Sequence, residues 1–416
     1  MTARLLCSVL VAVLLGCHKS PAAGARADGS TLQLKQRELP SDKPGAGAAA
    51  TGTTGQLARV RPTATPCLSR KNPSPSALAD RGEDAYEAGD HARALSCAEE
   101  ALRADARFVP ALHLRATALA ALGREAEARL GFARALSVDP DDPETLLGAA
   151  DFYVVRTSGE RDALLLGLEY ALRGARLATR KNDAELAARL LGVAAMAEND
   201  LGRSRDALQH VDQALRTTPR DASLHYERGV ALYELVRFAD ARAALEKALA
   251  LAPDDAWTLH YLALLAEHEG DEARAQKLEA KARTRAPRDF RGIALTRTEF
   301  DAELKRAIEL LPAQERRALS TVPLEVDDVP SLVDLTAVDP PLSPAILGLF
   351  RGPSETETCD ADTPSPCRSI ALYWKNLARF ARDRQELAEQ VRVTLLHELG
   401  HLHGESDDEL RDRGLE

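Results

Sequence analysis

A spacing of 34 residues runs through the middle of this chain and constrains its fold more than any other feature. Gly202, Val236 and Gly270 follow one another at this distance. The same step relates further small residues and prolines: Ala207, Ala241 and Ala275; Ala214, Ala248 and Ala282; Pro219, Pro253 and Pro287; Gly89 and Gly123; Ala94 and Ala128; Ala101 and Ala135. Such a period predicts one repeated supersecondary unit whose copies bury each other's apolar faces.

A second set of small residues marks where two helices must approach closely. These are Gly82, Ala116, Ala195, Gly229 and Ala263. Together with the closing proline, the pattern resembles the tetratricopeptide repeat, a 34-residue helical hairpin. The resemblance covers five clear units and a sixth, around Pro143 to Ala187, that carries an insertion. It implies a superhelix whose groove receives a peptide or a protein partner; an array that only spaces other domains is the alternative.

The pattern changes after Pro287. Residues 298–311 predict an amphipathic helix with Phe300, Leu304, Ile308 and Leu311 on one stripe. Three short strands are expected at 322–326, 346–350 and 370–374. A helix follows over 376–403, with a break expected near Asp383. The C-terminal region is therefore predicted to be a small α+β domain.

Metal-binding chemistry is indicated at the end of that last helix. His397 and His401 are four residues apart, so both imidazoles project from one face and can chelate one ion. The opposite side carries Leu387, Val391, Leu395 and Leu399 and is expected to face a core. Glu398 lies about 100° round the helix from His397, where it can reach a metal-bound water without being a ligand.

The third ligand must come from beyond the helix. Gly404 ends the helix and allows the chain to turn back, which brings the carboxylate of Asp407 within reach of the same ion. Asp408 and Glu409 compete for this place, because sequence does not fix the path of the turn. Three protein ligands would leave one position open, as in a catalytic site, and a water there has a pKa of about 7.

The pattern from His397 to Asp407 resembles that of the Asp-zincins. Over about 298–414 the chain looks like the minimal-zincin family of bacterial metallopeptidases, with Asn376 among the matching residues. The resemblance implies zinc as the cofactor, ligands His397, His401 and Asp407, and Glu398 as the general base. Family members usually carry a second histidine directly after the last helical ligand. Here that place is Leu402, and a histidine follows at His403.

Two further roles in peptide hydrolysis are open to residues near this motif. The predicted strand at 370–374 is a candidate to align an extended peptide by backbone pairing. Tyr373 and His403 are candidates to stabilise the oxyanion, although a core role for Tyr373 and a solvated rim position for His403 are preferred.

The N-terminus predicts export and lipid attachment. Residues 5–15 form an apolar run that is too short to span a bilayer and is typical of a signal peptide. The run ends in Leu14-Leu-Gly-Cys17, which resembles the bacterial lipobox. The resemblance implies that Cys17 becomes the acylated N-terminus. Because His18, and not Asp, follows it, the periplasmic face of the outer membrane is favoured.

Four cysteines remain for the exported protein: Cys67, Cys97, Cys359 and Cys367. They allow three pairings in an oxidising compartment. A local bridge between Cys359 and Cys367, which flank a proline-containing loop, is expected first. The pairing of Cys67 and Cys97 is left open.

Composition agrees with this organisation and excludes one class of partner. The 416 residues carry a net charge of −10 and only 4% aromatic side chains. Abundant Ala and Leu favour helices. A mildly acidic surface argues against nucleic acid as the main partner, since phosphate binding needs a basic face.

Four segments are expected: a lipoprotein signal peptide at 1–17, a disordered tether at 18–76, a tetratricopeptide-repeat array at 77–287 and a zincin-like domain at 288–416. The fold class is mostly α, a repeat superhelix followed by a small α+β domain. We expect a lipid-anchored, zinc-dependent peptidase of the cell envelope whose repeats recruit a peptide or protein substrate or a partner protein. The alternative is a scaffold or assembly lipoprotein with a degenerate metal-binding domain. The intact Glu398 favours the enzyme.

Overall fold

The structure, a computed structural model, describes residues 67, 73–157, 160–290, 292–359 and 366–415. The predicted signal peptide, the predicted acylation site at Cys17 and nearly all of the predicted tether lie outside these residues. None of the described helices is both long enough and apolar enough to cross a bilayer.

The repeats fold as six helical hairpins, which confirms the predicted mostly-α fold class. Their helices are α1 (Pro75–Glu87) and α2 (His91–Ala104), α3 (Val109–Ala121) and α4 (Glu125–Val138), α5 (Pro143–Asp151) and α6 (Arg161–Arg180), α7 (Ala184–Asp200) and α8 (Ser204–Thr217), α9 (Ala222–Glu234) and α10 (Phe238–Leu251), and α11 (Ala256–His268) and α12 (Glu272–Arg285). The expected insertion lies in the third hairpin, where α5 continues into a π-helical turn, Phe152–Arg156, and α6 extends to 20 residues.

Small residues permit the close helix contacts predicted from the repeat pattern. A Cβ atom on Gly82 would lie 3.1 Å from Cβ of Cys97. The neighbouring repeat positions Ala116, Ala195 and Ala263 are buried. The 34-residue period is therefore set by packing between paired helices.

The turns of the first, second and last three hairpins carry the recurring glycines and one exception. Gly89, Gly123, Gly202 and Gly270 all have positive φ, between 71° and 78°, which suits a residue without a Cβ. The equivalent Val236 has φ 57°, an uncommon conformation for a β-branched residue. Its side chain packs on an apolar cluster of the C-terminal region that contains Leu342 and Leu349. Burial of this side chain offsets the unfavourable backbone conformation.

The C-terminal region adds a three-stranded sheet and six helices. In chain order these are α13 (Arg297–Glu309), α14 (Ala313–Leu319), β1 (Leu324–Asp327), α15 (Leu332–Leu335), β2 (Gly348–Arg351), β3 (Ser369–Tyr373), α16 (Trp374–Phe380), α17 (Arg384–His403) and α18 (Asp407–Asp412). The three strands, the first helix and the break near Asp383 agree with the sequence analysis.

The sheet has the order β1-β3-β2, and β3 pairs parallel with β1 and antiparallel with β2. One face of β3 presents Ile370 and Leu372 to a core that includes α13 and α17. The other face presents Ala371 and Tyr373 to a cluster that Val236 and Phe238 of the repeats also contact. Both faces of the sheet are thus covered, one of them partly by repeat residues.

Contacts divide the chain into two compact units, and the division falls within the repeats. One unit comprises Glu198–Leu215 and Pro219–Glu416, and the other contains the described residues up to Ala197 with Arg216–Thr218. This division does not mark the end of the repeats, because the last hairpins contact the C-terminal region.

Two disulfides are present among the described residues. Cys67 pairs with Cys97 of α2, and Cys359 pairs with Cys367 in the connection between β2 and β3. The first pairing was left open by the sequence; the second is the local bridge expected there.

Candidate metal centre

Helix α17 holds the two histidines of the motif on a rigid support. The side chain of Asp383 caps its N-terminus by accepting a hydrogen bond from the Glu386 N–H. Its apolar stripe, Leu387, Val391, Leu395 and Leu399, is completely buried in the core, as predicted. His397 and His401 are therefore fixed in direction by the packing of the helix on its other side.

The turn after α17 returns the chain toward the histidines. Gly404 adopts the left-handed conformation at φ 91°, and the N–H of Glu405 donates to the carbonyl of Gly400 over 2.9 Å. Ser406 then caps α18 in a reciprocal arrangement with Glu409. Asp407 consequently becomes the first residue of α18 and faces back to α17.

Among the described residues, one group of three potential ligand side chains converges: His397, His401 and Asp407. The two Nε2 atoms are 3.0 Å apart. Oδ1 of Asp407 lies 3.4 Å from Nε2 of His397 and 3.3 Å from Nε2 of His401. Ligand atoms about 2.0–2.1 Å from a tetrahedral zinc ion are separated by about 3.3 Å, so the group fits zinc.

Backbone carbonyls set the orientation of both rings. Nδ1 of His397 lies 2.6 Å from the carbonyl oxygen of Leu415, and Nδ1 of His401 lies 3.0 Å from that of Glu405. Donation from Nδ1 to a carbonyl leaves the Nε2 lone pair directed at the ion, as in metal-binding histidines generally. Neither carbonyl was expected from the sequence; the only signal for Leu415 is Gly414, whose positive φ turns the chain back after α18.

The electrostatics of the group favour a cation. Burial opposes a charge on His401, but the hydrogen bond to Asp407 and the charge of Glu398 outweigh it and raise the pKa of His401 to about 9. Burial and the neighbouring His401 lower the pKa of His397 to about 3. One positive charge is therefore stabilised between these side chains.

The structure discriminates among the three acidic residues considered for the third position. Asp408 points away, is largely exposed and pairs with Arg411 over 2.7 Å. Glu409 uses its carboxylate to cap the N–H of Ser406 over 2.8 Å. Only Asp407 of the three reaches the histidines.

Glu398 is completely buried next to strand β2. A Cβ atom on Gly348 would lie 2.9 Å from Oε1 of Glu398 and 2.6 Å from Cγ2 of Thr394. Glycine at position 348 thus allows β2 to lie directly on the face of α17 that carries Glu398. Glu398 was expected from the motif, whereas its contact with β2 was not.

The two oxyanion candidates differ in their surroundings. Tyr373 is buried on the sheet face away from α17, its hydroxyl is 3.5 Å from Asp334, and burial raises its pKa. This agrees with its interpretation as a core residue. His403 lies at the end of α17, with Nδ1 2.8 Å from Glu355 and Nε2 3.3 Å from Glu315.

One expectation about the sheet is wrong. Strand β3 cannot align a peptide by backbone pairing, because β1 and β2 occupy both of its edges. Strand β2 is an edge strand of the sheet and is the one that lies beside Glu398.

Comparisons with known proteins agree with this description. The family described as zincin-like metallopeptidase matches residues 319–415. The family described as tetratricopeptide repeat matches residues 79–151 and 193–256. No curated protein sequence gives a significant match.

Solved structures with a similar fold have low sequence identity. PilW, a type IV pilus biogenesis factor, is 17% identical with a TM-score of 0.45, over 51% of this chain and 94% of that chain. The pilF protein of Pseudomonas aeruginosa is 17% identical with a TM-score of 0.45, over 55% and 97% of the two chains. YrrB, a tetratricopeptide-repeat protein described as having an unusual peptide-binding site, is 15% identical with a TM-score of 0.36, over 46% and 93%.

Fold, motif and family matches lead to one conclusion. Protein interaction is the general role of such repeats, and the converging ligands lie in the part of the chain that matches metallopeptidases. Residues 79–256 thus contain tetratricopeptide repeats, and residues 319–415 form a C-terminal region that is similar to zincin-like metallopeptidases.

Proposed function

We propose that this protein is a zinc-dependent peptidase of the cell envelope. The observation that carries the proposal is the convergence of His397, His401 and Asp407 beside the buried carboxylate of Glu398. A purely structural zinc site would use four protein ligands, whereas this group supplies three.

The donor set suits zinc and leaves a position for chemistry. His397, His401 and Asp407 would hold the ion with two imidazole nitrogens and one carboxylate oxygen, at the separations that a tetrahedral geometry requires. When bound, zinc supplies a Lewis acid that polarises the peptide carbonyl and acidifies a water molecule.

Glu398 would transfer the proton. It follows His397 directly on α17, and its carboxylate lies between that helix and β2. Such a group takes the proton of the attacking water and passes it to the leaving amine. The buried surroundings strengthen its interaction with charges in the reaction, because little water screens them.

Strand β2 supports an extended peptide better than β3. The N–H of Tyr373 donates to the carbonyl of Leu347, so Leu347 and Leu349 direct their backbone groups to β3. By alternation, Gly348 and Phe350 direct theirs to the outer edge. A peptide pairing with this edge would pass Glu398, since Gly348 adjoins that side chain.

Metal removal and return would test the proposed activity. The full chain, purified in detergent, is expected to contain one zinc ion and to cleave members of a peptide library. A chelator should stop cleavage, and one equivalent of zinc should restore it. Protein that takes up zinc but cleaves nothing would support the scaffold alternative, and protein that takes up no zinc would contradict the metal site itself.

The remaining parts of the proposal concern location and recruitment. The sequence from Leu14 to Cys17 supports lipid attachment, and the tether at 18–76 would hold the folded region on the order of 40 Å from the membrane. The repeats would bring a substrate or partner protein to the peptidase, as helical repeats commonly bind protein segments in their groove.

Replacing Cys17 by Ser is expected to move the protein from the membrane fraction to the soluble fraction. Two or more acyl chains anchor a protein stably, and Ser cannot accept the thioether-linked lipid. Fractionation of cells followed by immunoblotting measures this, with Cys7→Ser as the matched control that should remain in membranes. Equal membrane fractions for wild type and Cys17→Ser would contradict the lipid anchor.

A further inference from the structure

Helix α16 follows β3 directly and carries two cations that pair with residues of the repeats. Lys375 and Arg379 are one helical turn apart. Lys375 pairs with Glu272 of α12, and Arg379 pairs with Glu267 of α11. The two cationic side chains are only 12% and 13% exposed, but Glu267 is 16% exposed whereas Glu272 is 52% exposed, so the Arg379–Glu267 pair is the one screened less than a pair on an open surface.

Within the C-terminal domain, Arg379 also contacts Asn376, whereas Lys375 pairs with Asp328. The Nη1 group of Arg379 donates to Oδ1 of Asn376 over 3.0 Å. Asn376 is buried, and its Nδ2 group donates to the carbonyls of Pro344 and Ile346 over 3.0 and 2.7 Å. Because Arg379 occupies the amide oxygen, it orients the NH₂ group of Asn376 toward those two carbonyls.

The two carbonyls belong to the segment that enters β2. Ile346 is followed by Leu347, which is held by Tyr373, and then by Gly348, which adjoins Glu398. A continuous chain of polar contacts therefore runs from Glu267 in the repeats through Arg379 and Asn376 to the strand beside Glu398. Lys375 and Glu272 also connect the C-terminal domain to the repeats. The second contact of Lys375 is with Asp328, which follows β1 and is not part of the chain of contacts to β2.

We propose that Glu267, a residue of the repeats, is a positioning residue of the metallopeptidase site. It holds Arg379, which orients Asn376, and Asn376 fixes the backbone that places β2 on Glu398. The expected change in kcat rests on the proposed peptidase function. The expected change in the mobility of β2 does not, and it can be measured without any activity. The repeats are then part of the catalytic apparatus in addition to any role in binding partners.

The test compares Glu267→Ala with the matched control Glu272→Ala, each of which removes one carboxylate of a repeat–domain ion pair. Amide hydrogen exchange of residues 346–351 is expected to accelerate about tenfold in Glu267→Ala only, because local opening becomes easier. The kcat for peptide cleavage should fall about tenfold because Glu398 is displaced, and KM should rise as well, because β2 also carries the proposed peptide-pairing edge. Exchange in α13 and the zinc content should match wild type in both variants.

Two further variants make the outcome decisive. Arg379→Lys keeps the positive charge but cannot contact Glu267 and Asn376 together. It should therefore show the same faster exchange at residues 346–351 and the same lower kcat, which gives a second test if Glu267→Ala folds poorly. Gly348→Ala places a methyl group against Glu398. This variant perturbs β2 directly, and the effects of the Glu267 and Arg379 variants are compared with it. If the amides of residues 346–351 exchange at the same rate in the Glu267 and Arg379 variants as in the Glu272 control, the proposal is overturned. If wild type cleaves no peptide, the proposed function fails, and exchange alone decides this inference.

Discussion

Glu398→Gln is expected to abolish peptide cleavage while one zinc ion stays bound. Glutamine has nearly the shape of glutamate, so the buried space between α17 and β2 remains filled. It cannot accept a proton from water, and loss of a general base lowers rates by roughly 10²–10⁴-fold. The zinc content should not change, because Glu398 is outside the group of converging ligands.

The measurement is kcat/KM on a cleaved peptide together with metal analysis of the same preparation. Glu389→Gln is the matched control, since Glu389 lies on the exposed side of the same helix and pairs with Arg392. It should behave as wild type in both measurements. Cleavage by Glu398→Gln at more than about a tenth of the wild-type rate would assign the base elsewhere, and loss of zinc would make Glu398 a ligand.

His401→Ala and Asp407→Ala are each expected to lower zinc affinity by more than about 100-fold. Loss of an outer partner of a metal ligand alone costs roughly 10–100-fold, and these variants remove a ligand. His401→Ala leaves one nitrogen and one carboxylate oxygen, and Asp407→Ala leaves two imidazoles. Both variants should fold, because the apolar stripe of α17 and the cap of α18 do not involve the replaced side chains.

Competition with a zinc-binding dye measures the affinities. Asp408→Ala is the control for Asp407→Ala, because Asp408 is exposed and pairs with Arg411. His403→Ala is the control for His401→Ala, because His403 contacts Glu315 and Glu355 at the end of the helix. Full affinity in Asp407→Ala together with reduced affinity in Asp408→Ala would mean that α18 turns differently in the zinc-bound protein.

Much of this architecture was predictable, because it depends on local chemistry or on strict spacing. The 34-residue step identified the helical hairpins, including the long third one. The four-residue spacing of His397 and His401 placed both rings on one face of α17, and Gly404 predicted its end. The positions of the three strands followed from short apolar runs.

Features that depend on tertiary pairing were not predictable. The order of the strands leaves β2, and not β3, at an edge of the sheet, and β2 is the strand beside Glu398. No local sequence pattern encodes that order. Asp407 was named from the motif, but its choice over Asp408 and Glu409 depends on how Ser406 caps α18. The contact of His397 with Leu415 joins residues 18 apart through a backbone carbonyl, for which Gly414 is the only signal in the sequence.

Val236 has a consequence for how this protein can change during evolution. Repeat arrays lengthen and shorten by duplicating or deleting whole units, which requires that the units be interchangeable. The hairpin of α9 and α10 is not, because a glycine at position 236 would suit the left-handed turn but remove a side chain that covers the sheet. The adjacent hairpin is constrained as well, since it carries Glu267 and Glu272. We therefore expect homologues to differ in repeat number before residue 198 and to keep the last two hairpins, which would have been inherited together with the metallopeptidase domain.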